Sequence, residues 1–298
     1  MNSTGIIYAL ITVLAWGTWL APSQKVPLKS QHTRTFYVTL AAMALSIIAS
    51  FFVGVEGLNA TTFIFPFVGG LIWAISGWSA FIGASRLGMA KAFGIWAPMN
   101  IVVSIFWGVI LFGEFLDASS RTLGIAALGF LIIIVGILLI VFSDGTGGKK
   151  TDLKGLLGAM GAGVGFATYF IPIQLGTANH PEFTMWIGTL PLSIGMFTGS
   201  LLLLFFTKAP AKLEKNNRYF LLMTSGLLWA IGNYGALAMM EQIGTGRGFT
   251  IAQLCVVVNA LVGVFLFKEP SPKSKAGKLV LVGVVLATIG GIILGNVN

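Results

Sequence analysis

Residues 70–93 read GLIWAISGWSAFIGASRLGMAKAF, and residues 226–249 read GLLWAIGNYGALAMMEQIGTGRGF. The two stretches align without a gap at a separation of 156 residues, with 8 of 24 positions identical, among them Trp73 with Trp229 and Gly88 with Gly244. One residue is then lost and the match resumes: Ser104 falls on Asn259, Gly108 on Gly263, and GVILFGE ending at Glu114 falls on GVFLFKE ending at Glu269. A repeat of this length implies duplicated architecture. Upstream, at a separation of 150, Thr18, Pro22 and Gln24 fall on Thr168, Pro172 and Gln174, while Trp16 and Trp19 fall on Phe166 and Tyr169. Downstream, VGILL from Val135 is echoed by GGIIL from Gly290.

The duplicated units lie in a membrane. The chain has 298 residues, 56% of them hydrophobic and only 9% charged, and its mean hydropathy is +0.92; soluble domains carry roughly 25% charged residues. At about 20 apolar residues per span, the apolar runs place spans near 5–22, 35–55, 63–84, 93–113 and 121–142, then near 155–173, 183–206, 219–239, 248–267 and 278–296. An odd number of spans per unit forces the copies into opposite orientations. The expected fold is therefore an all-α integral membrane protein, with ten transmembrane helices forming two five-helix inverted-topology repeats, as in many secondary transporters. The first repeat occupies 1–143 and the second 155–298, with 144–154 as a cytoplasmic linker. That linker, SDGTGGKKTDLK from Ser143, is not a phosphate loop: Ser143 sits where the first Gly would be, and no strand precedes it.

Charge fixes the expected orientation. Sixteen of the eighteen Lys and Arg follow odd-numbered spans, and only Arg121 and Arg247 lie on the other side. The positive-inside rule then puts both termini on the non-cytoplasmic side of a cell (inner) membrane. The net charge of +9 is thus a topology signal and not a nucleic-acid footprint. MNSTGIIYAL lacks the basic start of a signal peptide. The single cysteine, Cys255, allows no intrachain disulfide.

No acidic or basic residue falls near the middle of an expected span, where a charge would cost at least about 2.5–3.5 kcal/mol and mark an ion path. His32 and His180 lie in loops and form no metal cluster, no catalytic set converges at one depth, and no cofactor is implied. An enzyme reading has no support. Aromatic, amide and hydroxyl side chains recur instead at helical spacing: Thr12, Trp16, Trp19 and Ser23 on span 1; Trp73, Ser76 and Gly77 on span 3; Trp96, Asn100, Ser104 and Trp107 on span 4; Ser225, Trp229 and Asn233 on span 8; Gln253 and Asn259 on span 9. Rings stack on C–H faces and amides bond hydroxyls, so the set suits a small neutral polyol in a mostly apolar pocket. Set against this, Trp186 and Trp19 read as interfacial-belt residues, and buried Asn and Ser also bond between helices.

Pro22 and Pro172, at matched span ends, read either as helix terminators or as paired hinges. Glu114 and Glu269 read as locally paired with Arg121 or Lys268, or as gating groups. The glycines at 158, 161, 163 and 165 read as packing positions.

The ten-span double repeat, with its two G-V-x-x-x-x-E closings, resembles the drug/metabolite transporter superfamily. AWGTW at 15–19, GLIWAISG at 70–77, GLLWAIGN at 226–233 and GGIILG at 290–295 narrow the resemblance to the bacterial glucose/ribose uptake-type sugar transporters. The resemblance implies monosaccharide uptake, with protons as the coupling ion, through a central cavity lined by spans 1, 3, 4, 6, 8 and 9, with spans 5 and 10 peripheral. The spans hold no mid-membrane carboxylate to carry a proton. The function expected is uptake of a neutral monosaccharide by alternating access. Trp16, Trp73, Trp96 and Trp229 would stack on the sugar, with Tyr169 and Ser104 beside them. Asn100, Asn233, Gln253 and Asn259 would bond its hydroxyls, and Pro22, Pro172, Glu114 and Glu269 would serve as hinges or gates. An exporter of amphipathic metabolites or amino acids, or a receptor that binds without transport, remains an alternative.

Overall fold

The computed structural model describes residues 3–112, 118–144, 152–177, 185–212, 218–243 and 251–296, and all regular structure among them is helical. Nine of the helical stretches there are long and apolar enough to cross a membrane, and Cys255–Phe267 is a shorter apolar helix. This is an all-α, multi-pass membrane architecture. Glu114 and His180 lie outside the described residues.

In chain order the helices are α1 Ser3–Thr18, α2 Leu20–Gln24, α3 Gln31–Val53, α4 Ala60–Leu87, α5 Met89–Phe112, α6 Ser120–Val141, α7 Leu153–Thr168, α8 Phe170–Thr177, α9 Met185–Thr207, α10 Tyr219–Ile243, α11 Cys255–Leu261 and α12 Lys275–Gly295. A π-helical turn, Val262–Phe267, extends α11 and ends at Lys268 in the left-handed region (φ 58°).

Helices α1 and α2 are one span interrupted at Trp19, and α7 and α8 are one span interrupted at Tyr169. Each break falls three residues before a proline. Pro22 and Pro172 have no N–H to offer the carbonyls of Thr18 and Thr168, which opens the ladder there. Neither proline ends its span: α2 continues to Gln24 and α8 to Thr177. The termination reading is corrected by that continuation.

Two cations read as loop residues sit inside helices. Arg34 in α3 is 2% exposed and Lys91 in α5 is 3% exposed. The helices begin earlier than the apolar runs do, because a long cationic side chain can be covered where it reaches carbonyls or a mouth. Helix α7 likewise starts at Leu153. Its first turn is capped by Asp152, which accepts from the Gly155 N–H at 2.9 Å and pairs with Arg86 of α4 at 2.8 Å. The Gly155 N–H first, and then the Arg86 guanidinium, hold the Asp152 carboxyl below its usual range.

The helices pack in a closed set of neighbours: α4 on α7, α8 and α9; α10 on α1, α2 and α3; α5 on α7; α11 on α1 and α5; and α6 on α12 at one edge. Small residues permit the approaches. A Cβ on Gly136 would lie 2.6 Å from the Gly283 carbonyl oxygen, and one on Gly290 would lie 2.6 Å from that of Gly129, so α6 and α12 touch backbone to backbone. Outward faces carry bare aromatics such as Phe51, Phe52, Phe205 and Phe206, each more than 75% exposed. In water such a surface would aggregate; against acyl chains it is matched.

Candidate functional site

At the centre, where α1, α4, α5, α7, α8, α10 and the start of α11 converge, an aromatic cage lines a half-open cavity. Its rings are Trp16, Trp19, Trp73, Phe93, Trp96, Phe166, Tyr169, Phe170 and Trp229; Ala97, Asn100, Gln253 and Cys255 complete the wall. The room inside is about 60 Å3, space for about two waters.

The cage is built on Trp73, which is fully buried. Its ring centroid lies 4.7 Å from Trp229 at 61°, 5.7 Å from Phe166 and 6.1 Å from Trp19. Trp96 continues the wall, 6.1 Å from Phe166 and 4.7 Å from Phe93, and Phe166 leads on to Tyr169 at 6.5 Å. These are the tilted and edge-on geometries that aromatic quadrupoles favour. Gly77, one turn beyond Trp73 on α4, makes room for the indole: a Cβ there would meet the ring at 2.7 Å.

The polar inventory is short and specific. Trp16 donates its indole N–H to the Trp229 carbonyl at 3.1 Å, so its donor is used. The Trp73 indole N–H is buried with no acceptor. Asn100 accepts from the Ser104 hydroxyl at 3.3 Å, which leaves its amide N–H2 available to the cavity it lines. Among the described residues no carboxylate, ammonium or guanidinium lines the wall. These residues offer stacking faces and neutral hydrogen-bonding tips.

The residues expected from the sequence divide in two. Trp16, Trp73, Trp96, Asn100, Tyr169, Trp229 and Gln253 meet in this wall. Ser104, Asn233 and Asn259 do not line it. Asn259, fully buried, donates to the Gly17 carbonyl at 3.1 Å, and Asn233 donates to the Thr189 hydroxyl at 3.4 Å. Each keeps a buried Oδ1 without a donor. Trp19, read as an interfacial ring, is instead 3% exposed and part of the cage. Phe93, Phe166 and Phe170 were not singled out from the sequence. Phe166 had a signal, since it occupies in the second repeat the place of Trp16 in the first. Phe93 and Phe170 carried none beyond being aromatic.

A second, larger opening lies toward the ends of α2, α4 and α9 and the starts of α3 and α10. It is a vestibule of about 770 Å3 whose wall includes Gln24, Lys29, Arg34, Ser85, Lys212, Arg218 and Glu269. Glu269 lies against Gly88, the positive-φ glycine (81°) that joins α4 to α5, where a Cβ would come 3.0 Å from the Glu269 Cβ. Pro22 and Pro172 line neither chamber.

Known proteins share this chain's sequence over nearly its full length. It is 30% identical to a candidate sugar uptake protein of Enterococcus faecalis, the match covering 97% of this chain and 98% of that one. It is 28% identical to the glucose uptake protein GlcU of Bacillus subtilis, with 97% of each chain covered. A crystal structure of 14% sequence identity superposes over 99% of each chain with a TM-score of 0.62, a likeness of fold. Residues 7–297 match the family described as sugar transport protein, and the chain belongs to that family.

Proposed function

We propose that this protein takes up a neutral monosaccharide by alternating access, with the aromatic cage as its binding site. The observation that carries the reading is the cage itself: a half-open chamber of indole and phenyl faces, with amide tips and one unpaired indole donor, and no charged residue among the described residues of its wall. The uptake names of the relatives support the same substrate class. Trp73, Trp96 and Trp229 stack on the ring, with Trp16 and Tyr169 closing the wall. Asn100 and Gln253 bond hydroxyls. Ser104, Asn233 and Asn259, outside the wall, orient the site. The present room is tight for a hydrated pyranose, so binding spreads the cage.

The architecture in this proposal is ten spans in two inverted five-span repeats, 1–143 and 155–298, with the 144–154 linker and both termini as the charge distribution orients them, in the cell membrane. Pairing of packings supports it. The α4–α9 and α10–α3 contacts, and the α4–α7 and α10–α1 contacts, exchange under the repeat. Pro22 and Pro172 act as the paired hinges. A proton coupled to the sugar would use a group outside the cage, and among the described residues the vestibule carboxylate Glu269 is placed for it. The counterpart Glu114 is its partner in the same proposal.

In proteoliposomes, Trp96→Ala and Asn100→Ala should each lower sugar uptake at least about ten-fold, the value of one lost 1.4 kcal/mol contact. Uptake at the wild-type rate in both variants, with folded protein confirmed by gel filtration, would remove the cage as the binding site.

A further inference from the structure

The cage and the vestibule share no lining residue among those described, and a short stack of three side chains links their walls. Helix α4 passes both: Trp73 lines the cage, while Ala84 and Ser85 line the vestibule, about 16 Å further along the axis at 1.5 Å per residue. Phe81 sits between, fully buried. Trp19, from the cage wall, lies over Phe81 with centroids 5.5 Å apart. From the vestibule side the Arg34 guanidinium lies over the same ring, 5.7 Å from its centroid. The order from chamber to chamber is Trp19, Phe81, Arg34.

Arg34 also holds the broken end of the first span. Its two terminal nitrogens donate to the carbonyls of Ser23 at 2.5 Å and Val26 at 2.9 Å, while Nε is buried without a partner. A guanidinium on helix C-terminal carbonyls is a common cap, and a cap alone would explain those two bonds. It does not explain why the group is laid on Phe81, nor why the segment it holds begins at Trp19, the other face of the stack. The α2 segment is fixed on its far side as well, where the Ser23 N–H donates to the Ser225 hydroxyl of α10 at 3.0 Å. One cation therefore ties α3, α2 and the aromatic plug together, and α2 joins them to the second half of the chain.

We infer that Trp19, Phe81 and Arg34 form the inner gate of the transport path, with Arg34 the positioning residue that locks α2 and Phe81 closed over the cage. This rests on the uptake reading, in which the basic vestibule is the cytoplasmic mouth. Opening requires Arg34 to leave the Ser23 and Val26 carbonyls, so that α2 swings at its proline break and carries Trp19 off Phe81. A lysine cannot serve in its place, because one ammonium cannot bond two carbonyls and cover a ring face as a planar fork does.

Cys255, the chain's single cysteine, lines the cage and reports the state of this gate. A membrane-impermeant methanethiosulfonate reagent is applied to inside-out and to right-side-out vesicles holding the full chain, with Cys255→Ser as the background. Arg34→Ala, Arg34→Lys and the ring-removing Phe81→Leu should each raise labelling of Cys255 from the vestibule face by about ten-fold, as a shifted gate equilibrium requires. Labelling from the opposite face should not rise. Unchanged labelling in Phe81→Leu and Arg34→Lys overturns the gate, as does an equal rise from both faces, which would mean general loosening, or full rescue by lysine, which would reduce Arg34 to a charge. Sugar counterflow by the wild-type protein is measured in parallel. Its absence alongside the one-sided rise would leave the gate standing and bring down the sugar reading.

Discussion

Trp73 and Trp16 face the same cage with opposite hydrogen-bond states. Trp16 spends its N–H on the Trp229 carbonyl, which ties α1 to α10. Trp73 holds an unpaired donor at zero exposure, and a buried unsatisfied donor costs about 1–3 kcal/mol. In a site that binds a polyol, that cost is recovered when a hydroxyl accepts the bond. Trp73→Phe should therefore weaken sugar affinity about ten-fold while the melting temperature of the ligand-free protein holds or rises. Trp16→Phe should do the reverse, lowering the melting temperature with a smaller change in affinity. Titration calorimetry and thermal shift on the two variants decide it, and wild-type affinity in Trp73→Phe would end the donor role. Asn233 and Asn259 carry a related lesson. Helical arcs read from spacing gave their direction on the helix, but not the carbonyl of Gly17 or the hydroxyl of Thr189 that takes up their amides. Partners more than 40 residues away in sequence leave no trace in a local pattern.

At the scale of the helix, the two proline breaks are the most informative feature. Pro22 and Pro172 interrupt α1–α2 and α7–α8 at Trp19 and Tyr169, and both interrupted residues line the cage. A break that coincides with the site lets a segment of one turn or so move without unpacking the rest of its span, which is how broken helices serve in transporters. Pro22→Ala and Pro172→Ala restore the N–H to the Thr18 and Thr168 carbonyls and stiffen both spans. The expected result is a several-fold fall in the maximal uptake rate with sugar affinity kept, since the cage residues are untouched; the split between rate and affinity in a proteoliposome assay is the measurement. Equal loss of both would point to a distorted site instead of a stiffened hinge. The prolines were legible in the sequence because the repeat aligned them. Their effect was not, because an apolar run ending near a proline looks the same whether the helix stops or bends. Arg34 was hidden for a related reason. A cation at the edge of an apolar run reads as a loop, and only the folded position of Ser23, Val26 and Phe81 makes it a helical, buried group.

At the scale of the whole molecule, composition and repeat were enough to read helices in a membrane, since both depend on many residues at once and tolerate errors at any one. The cage was legible as a set and blurred in its members, because a pocket is defined by where helices cross and crossings are set by glycine approaches such as Gly70 with Gly195 or Gly136 with Gly283. The inverted repeat proposed for the two halves makes a demand that no single helix makes. Positions equivalent in the repeat must lie on opposite faces of the membrane. Ser85 and Gln242 are equivalent to within one residue at the 156-residue separation, and both are exposed. On a Cys255→Ser background, Gln242→Cys should react with an impermeant maleimide on intact cells, and Ser85→Cys only after the membrane is opened. In the proposed orientation Ser120→Cys should follow Gln242→Cys on the outer side, and Ser271→Cys should follow Ser85→Cys on the inner side. Labelling of Ser85→Cys and Gln242→Cys from the same face would show two parallel copies. It would also remove the geometric basis for alternating access by exchange of two inverted halves.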